Sequence, residues 1–100
     1  NNNPQTFTST MSSTSKKHQS FTSEPMRGKP ATALPGIGKV QGARLESSGY
    51  SHATDLLGKY LNMQESRGQF QSWLKDTSGA NVKQQNDCYN GLKEWSDNNL

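Results

Sequence analysis

The sequence predicts an all-α domain, and two observations support that prediction. From residue 34 onward, apolar side chains recur three and four residues apart, the spacing that places them on one face of an α-helix. No stretch alternates apolar and polar side chains over the length of a β-strand. We therefore expect four or five short helices in a chain of 100 residues, which has room for one small domain.

The first predicted helix begins at Ser15, because a serine is a favourable N-cap. It extends through Phe21, its single apolar anchor, to about Glu24, where the following proline disfavours further helix. After a turn-rich segment with one helical turn at residues 32–34, a second helix is predicted from Lys39 to Ser47. Gly49 is a suitable stop for that second helix.

Three further helices are predicted in the second half of the chain. They run from Ser51, as N-cap, to Met63, from Arg67 to Thr77, and over residues 83–97. The apolar residues that define them, which we interpret as core, are Ala53, Leu56, Leu57, Tyr60, Leu61, Phe70, Trp73, Leu74, Cys88, Tyr89, Leu92 and Trp95.

Residues 1–14 form a polar, low-complexity stretch that we predict to be a disordered tail, followed by a domain over residues 15–100. Met11 is a candidate start, because the chain as given does not begin with Met. A domain of about 80 residues buries only about 60% of its unfolded surface. Oligomerisation would bury more, so we expect a dimer.

Charge is distributed unevenly along the chain. Residues 1–44 contain six basic side chains and one acidic one, whereas residues 45–100 contain five basic and seven acidic ones. A basic half favours a polyanion as partner, although an ordinary soluble surface is the alternative explanation.

The sequence offers little support for an enzyme, a metal or a cofactor. The single cysteine, Cys88, excludes an internal disulfide and lies on the apolar side of its helix, where a buried thiol is expected. His18 and His52 lack ligand spacing and are expected at the surface. No apolar run is long enough for a membrane span, and no secretory signal is expected.

The stretch "LPGIGKV" at residues 34–40 is typical of a helix-hairpin-helix motif. Gly36 and Gly38 permit a tight turn whose backbone amides face outward at the start of a helix, where an anion is favoured. Ile37 can anchor the turn in the core, while Lys39 and Arg44 add positive charge. The alternative is a tight turn without a ligand.

A second candidate contact is "SGANVK" at residues 78–83, a glycine-containing turn that opens another helix. Asn81 and Lys83 are available there, although an ordinary capped loop explains the pattern as well.

Two other protein classes use glycine hairpins similar to the one at residues 34–40. DNA glycosylases need about twice this length to enclose a flipped base, and sterile-alpha-motif modules contact protein instead of DNA.

From Lys17 to Leu100 the chain resembles the barrier-to-autointegration factor family of animal chromatin proteins. The matching pieces are KH (17–18), EPM (24–26), KP (29–30), GIG (36–38), LG (57–58), WLKDT (73–77), GAN (79–81), KQ (83–84), DC (87–88) and EW (94–95).

The resemblance implies a compact five-helix fold and an obligate homodimer that bridges double-stranded DNA without sequence preference. It also implies roles in chromatin compaction and nuclear envelope assembly, and a location in nucleus and cytoplasm. The resemblance implies DNA contacts at Lys17, Gly36, Ile37, Gly38, Val40, Arg44, Asn81, Val82 and Lys83. We add Lys39 to this set because of its positive charge beside the hairpin.

The resemblance further implies regulation by phosphorylation, for which the candidates are Ser12, Ser13, Thr14 and Ser15. It implies partners among LEM-domain proteins of the inner nuclear membrane, lamins and histones. The chain departs from the family in the LEM-binding groove, where polar residues replace aliphatic and basic ones, and at Gln41, a usually aliphatic position. The groove positions are Tyr50, Asn62, Met63, Gln64 and Gln69.

Overall fold

The computed structural model describes residues 15–100, and the predicted tail of residues 1–14 lies outside them. The described chain contains five α-helices and no β-strand, which confirms the predicted fold class. The helices are α1 (Lys16–Ser23), α2 (Lys39–Ser47), α3 (Ala53–Asn62), α4 (Arg67–Ser78) and α5 (Val82–Asn99), with a 3₁₀ turn at Ala31–Ala33.

Helix α1 begins and ends about where the sequence predicts. The Ser15 hydroxyl accepts a hydrogen bond from the His18 amide at 3.1 Å, and the helix ends at Ser23. Phe21 is 1% exposed and anchors the helix. The His18 ring lies 3.0 Å from a Glu94 carboxylate oxygen on α5 and is mostly covered, so the expectation of a surface histidine is wrong at this position.

The start of α3 corrects a prediction. Ser51 is not the N-cap; His52 is, and its amide donates to the Asp55 carboxylate at 3.1 Å. Tertiary contacts explain the shift, because the Ser51 carbonyl accepts from the Ala31 amide at 2.9 Å. That contact belongs to a short antiparallel bridge that holds the chain extended through His52.

The core lies where α4 and α5 pack together, with α1 against α5 and α2 against α4. Burial raises the pKa of the Cys88 thiol, as expected for a structural cysteine rather than a reactive one. Among the residues predicted as core, Leu57, Trp73 and Trp95 are only partly buried, and the prediction is wrong for Leu61, which is 41% exposed. The buried apolar side chains are Phe21, Met26, Ala31, Leu34, Ile37, Leu45, Ala53, Leu56, Tyr60, Phe70, Leu74, Ala80, Cys88, Tyr89 and Leu92.

Within residues 15–100, no helix is both long enough and apolar enough to cross a bilayer. The same residues contain no cluster of three or more His, Cys, Asp or Glu side chains suited to a metal ion.

Candidate nucleic-acid interface

The turn before α2, residues 34–38, is called the hairpin below, and it packs directly against α5. Gly36 has φ of 80°, in the left-handed region that favours glycine. A Cβ at this position would overlap the backbone carbonyl oxygen of Gln84 on α5. Glycine is therefore required by conformation and by packing. Ile37 is fully buried and anchors the hairpin, as the sequence predicts.

Gly38, the N-cap of α2, differs from Gly36. Its φ of −95° and ψ of −167° are open to any residue, and it is exposed. Its amide, one of those expected to face outward, already donates to the Gln41 side-chain oxygen at 3.1 Å. The backbone amides of Lys39, Val40 and Gln41 donate to no acceptor within residues 15–100. These three form the open start of α2.

The second turn, residues 78–83, is called the late turn below, and it ends in the N-terminus of α5. The Asn81 side chain accepts from the Gln84 amide at 2.8 Å, while the Asn81 amide donates to the Gln84 side chain at 2.8 Å. This reciprocal pair is a capping arrangement. The Val82 and Lys83 amides have no partner among residues 15–100 and remain available.

Two cationic side chains join these segments. The Lys17 ammonium on α1 donates to the Ile37 carbonyl at 2.6 Å, and its partial burial lowers the pKa of Lys17. The Arg44 guanidinium on α2 donates to the Ser78 carbonyl at 3.3 Å, beside Gly79. Lys17 and Arg44 therefore hold α1 and α2 against the two turns.

Two further cations and two valines stand on the exposed rim of this surface. Lys39 is exposed at the start of α2, whereas the Lys83 ammonium lies 2.9 Å from the Asp87 carboxylate. Val40 is 57% exposed and Val82 is 70% exposed, each at the start of its helix.

All the residues predicted to contact DNA thus lie on segments linked by direct contacts. Gln41 and Gln84 were not predicted as part of this surface. A signal for Gln84 exists, because Asn and Gln three residues apart at a helix start form a capping pattern. The contact between the Gln41 amide nitrogen and the Gln84 side-chain oxygen, at 3.4 Å, spans 43 residues and has no local signal.

The other predicted sites lie elsewhere. Ser12, Ser13 and Thr14 are outside the described residues, and Ser15 caps α1. The Tyr50 ring meets the Trp73 ring edge-on at 5.0 Å, with the Lys59 ammonium 5.4 Å from the Trp73 ring. The remaining groove residues occupy the end of α3, the loop after it and the first turn of α4; Asn62, Gln64 and Gln69 are exposed, and Met63 packs against the core.

Comparison with known proteins identifies relatives over nearly the whole chain. The family model described as "Barrier to autointegration factor" matches residues 12–99. The barrier-to-autointegration factor of Danio rerio is 52% identical over 90 residues, which cover 90% of this chain and 100% of the relative. The Homo sapiens protein of that name is 48% identical over 84 residues, covering 84% and 94% of the two chains.

The relatives extend beyond vertebrates. The Drosophila melanogaster barrier-to-autointegration factor is 44% identical over 85 residues, which cover 85% of this chain and 94% of the relative. With a family match over most of its length and a fold of five helices, the chain belongs to the barrier-to-autointegration factor family.

Proposed function

We propose that this protein binds double-stranded DNA through its sugar–phosphate backbone, without sequence preference. The observation that supports this most strongly is the pair of helix N-termini, α2 and α5, whose free amides lie on linked segments of one surface. A helix N-terminus favours an anion through its unpaired amides and its dipole. Such contacts reach phosphates and not base edges, so they carry no sequence information.

The cations around this surface supply the long-range attraction. Lys17, Lys39, Arg44 and Lys83 all belong to the segments that form it. Neutralising phosphates with lysine and arginine releases counterions, which drives association and makes it sensitive to salt.

The role of the hairpin is tested by Gly38→Glu. A side chain fits at Gly38, because its backbone is unstrained and only the end of the Gln41 side chain is near. The new carboxylate would lie beside the free amides, so we expect duplex affinity to fall at least about tenfold. Gly58→Glu is the matched control: Gly58 is exposed on α3 with open space around it.

Gel shifts with a random-sequence duplex measure both variants, and circular dichroism confirms that each is folded. Equal loss of affinity in Gly38→Glu and Gly58→Glu would mean that overall charge matters and the hairpin does not. Unchanged affinity in a folded Gly38→Glu variant would refute the role of the hairpin.

We also propose a homodimer that bridges two duplexes. A mainly apolar groove of about 710 Å³, whose lining includes Met26, Leu57 and Trp95, is open on the described chain, and we assign it to the second copy. Such a groove gives a small domain more apolar surface to bury. Leu57→Glu should yield a folded monomer in light scattering that binds one duplex without bridging two. Leu61→Glu, on the same helix but outside the groove, should remain dimeric.

The dimer would be refuted if the unmodified protein is a stable monomer at micromolar concentration. If Leu57→Glu stays dimeric, the second copy lies elsewhere.

Phosphorylation of Ser15 is proposed to weaken DNA binding. The Ser15 hydroxyl caps α1 two residues before Lys17, which contacts the hairpin. A phosphate adds about −1.5 to −2 charges there and would compete with DNA for the lysines. Ser15→Glu should reduce duplex affinity, whereas Ser15→Ala should leave it within about twofold of the unmodified protein.

We propose LEM-domain proteins, lamins and histones as protein partners at chromatin and the nuclear envelope. Among them, we expect binding to LEM domains to be weak. Asn62, Gln64 and Gln69 expose polar groups at positions where the family carries aliphatic and basic residues, with leucine typical at position 69. Gln69→Leu should therefore increase retention of this protein by an immobilised LEM domain. Equal retention would show that polarity at this position does not limit LEM binding.

The family consists of non-enzymatic DNA-binding proteins, which confirms that the chain is not an enzyme.

The alternative function is a helical protein-interaction module with weak or no DNA binding. The exposed Val40 and Val82 on the proposed DNA surface favour this alternative. An apolar protein contact would hardly respond to salt, whereas phosphate contacts respond strongly.

A further inference from the structure

Gln41 connects the start of α2 to the start of α5. Its side-chain oxygen accepts from the Gly38 amide at 3.1 Å, and its side-chain nitrogen lies 3.4 Å from the Gln84 side-chain oxygen. The same Gln84 oxygen accepts from the Asn81 amide at 2.8 Å. Turning either carboxamide over would place donors against donors, so the three hydrogen bonds fix both orientations.

The same pair of segments also meets through the backbone. Gly36 packs against the Gln84 carbonyl so closely that no side chain fits between them. Gln84 therefore contacts the hairpin with its main chain, and Gln41 reaches it with its side chain. Together these contacts hold the two helix starts at a fixed separation.

We propose that Gln41 is a positioning residue for DNA binding, an inference that rests on the proposed function. It fixes the start of α2 relative to the start of α5, so that the amides of Lys39 and Val40 and those of Val82 and Lys83 hold one phosphate stretch. The Gly38 amide stays bonded to Gln41 and does not contact phosphate. A surface ordered before binding loses less freedom when DNA arrives, which strengthens binding.

Gln41→Leu tests this inference, because leucine keeps the size of the side chain and removes both hydrogen bonds. We expect duplex affinity to fall about three- to tenfold, the range for one or two neutral hydrogen bonds. The salt dependence should be unchanged, because no charge is removed. The control is Ser72→Leu, which places a leucine at an exposed position on α4 outside the predicted sites and should leave DNA affinity unchanged.

A measurement on the free protein separates positioning from a purely local cap. In ¹H–¹⁵N spectra, Gln41→Leu should shift the Gly38 amide and also the Asn81 amide, 40 residues away in sequence but joined through Gln84. An unshifted Asn81 amide would show that the bridge does not exist and would overturn the inference.

The affinity of Gln41→Leu for duplex DNA then tests the positioning role. If both amides shift but Gln41→Leu binds DNA as well as the unmodified protein, the positioning role is wrong. If it binds more tightly, Gln41 competes with phosphate for the Gly38 amide, which also overturns the inference. If the unmodified protein binds no duplex, the proposed function fails and the positioning role fails with it, whereas the spectra still report whether the bridge forms.

Discussion

The starts of α2 and α5 lie on linked segments of the same surface, but they are completed in different ways. At α5, the Asn81 side chain accepts from the Gln84 amide, so one of the first amides is already satisfied. At α2, the N-cap is Gly38, which has no side chain, so the first three amides remain open. We therefore propose α2, the helix that is less well capped by its own residues, as the better of the two anion sites.

The glycines that precede the two helices differ as well. Gly36 and Gly79 both have positive φ, 80° and 74°. Behind Gly36 is the backbone of α5, which cannot move aside, whereas behind Gly79 is the end of the flexible Arg44 side chain. The hairpin is therefore fixed by the fold, while the late turn can adjust.

The largest predicted effect compares alanine at these two glycines. Gly36→Ala should lower the free energy of unfolding by about 3 kcal/mol, because left-handed strain adds to an overlap with backbone. Gly79→Ala should cost only about 1–2 kcal/mol, because it has the strain alone once Arg44 moves aside. Urea denaturation measures both, and equal losses would contradict the distinction between a fixed and an adjustable turn.

A smaller effect is expected from the caps. Asn81→Ala should lower the unfolding free energy by about 1 kcal/mol, the usual cost of losing an N-cap side chain. Gln41→Leu removes one exposed and one partly buried hydrogen bond between neutral groups and should cost about half as much or less. Thermal or urea denaturation of the two variants checks this order. The reverse order would mean that α2 depends on its cap more than α5 does.

The smallest effect concerns the cations beside each helix start. Lys39 is exposed, whereas Lys83 is paired with Asp87 at 2.9 Å. We expect Lys39→Gln to reduce the salt dependence of DNA binding by about one phosphate, a slope change of about 0.9, and Lys83→Gln to reduce it less. Asp87→Asn should tighten binding slightly by freeing Lys83. A larger loss from Lys83→Gln would reverse the proposed ranking of the two helix starts.

Local signals predicted much of this fold. The bounds of α2 were predicted residue for residue, because a glycine turn precedes it and Gly49 follows it. The N-cap of α1 was predicted from Ser15, and the end of α1 was predicted from the proline that follows Glu24. The α3 start was missed, because the bridge between Pro30 and His52, which delays the helix, joins segments that are 22 residues apart.

The residues of the candidate site were named from the sequence, and their role in binding stays a prediction. The contacts that join them were not predicted. Glycine spacing and charge pointed to both turns, whereas the contacts that join the turns depend on the tertiary fold. Arg44, predicted for its positive charge, also donates to the Ser78 carbonyl, and Gln41, noted only as a departure from a usually aliphatic position, bridges to Gln84. No pattern within one segment contains these long-range hydrogen bonds.

The most direct test of the central claim is the affinity of the unmodified protein for a random-sequence duplex across a salt series. With Lys17, Lys39, Arg44 and Lys83 at each site, log K should fall linearly with log salt with a slope of about −3 to −4 per site. Competitor duplexes of different sequence should displace the probe equally well. A folded protein that ignores DNA at low salt, or binds with a slope near zero, would contradict the account.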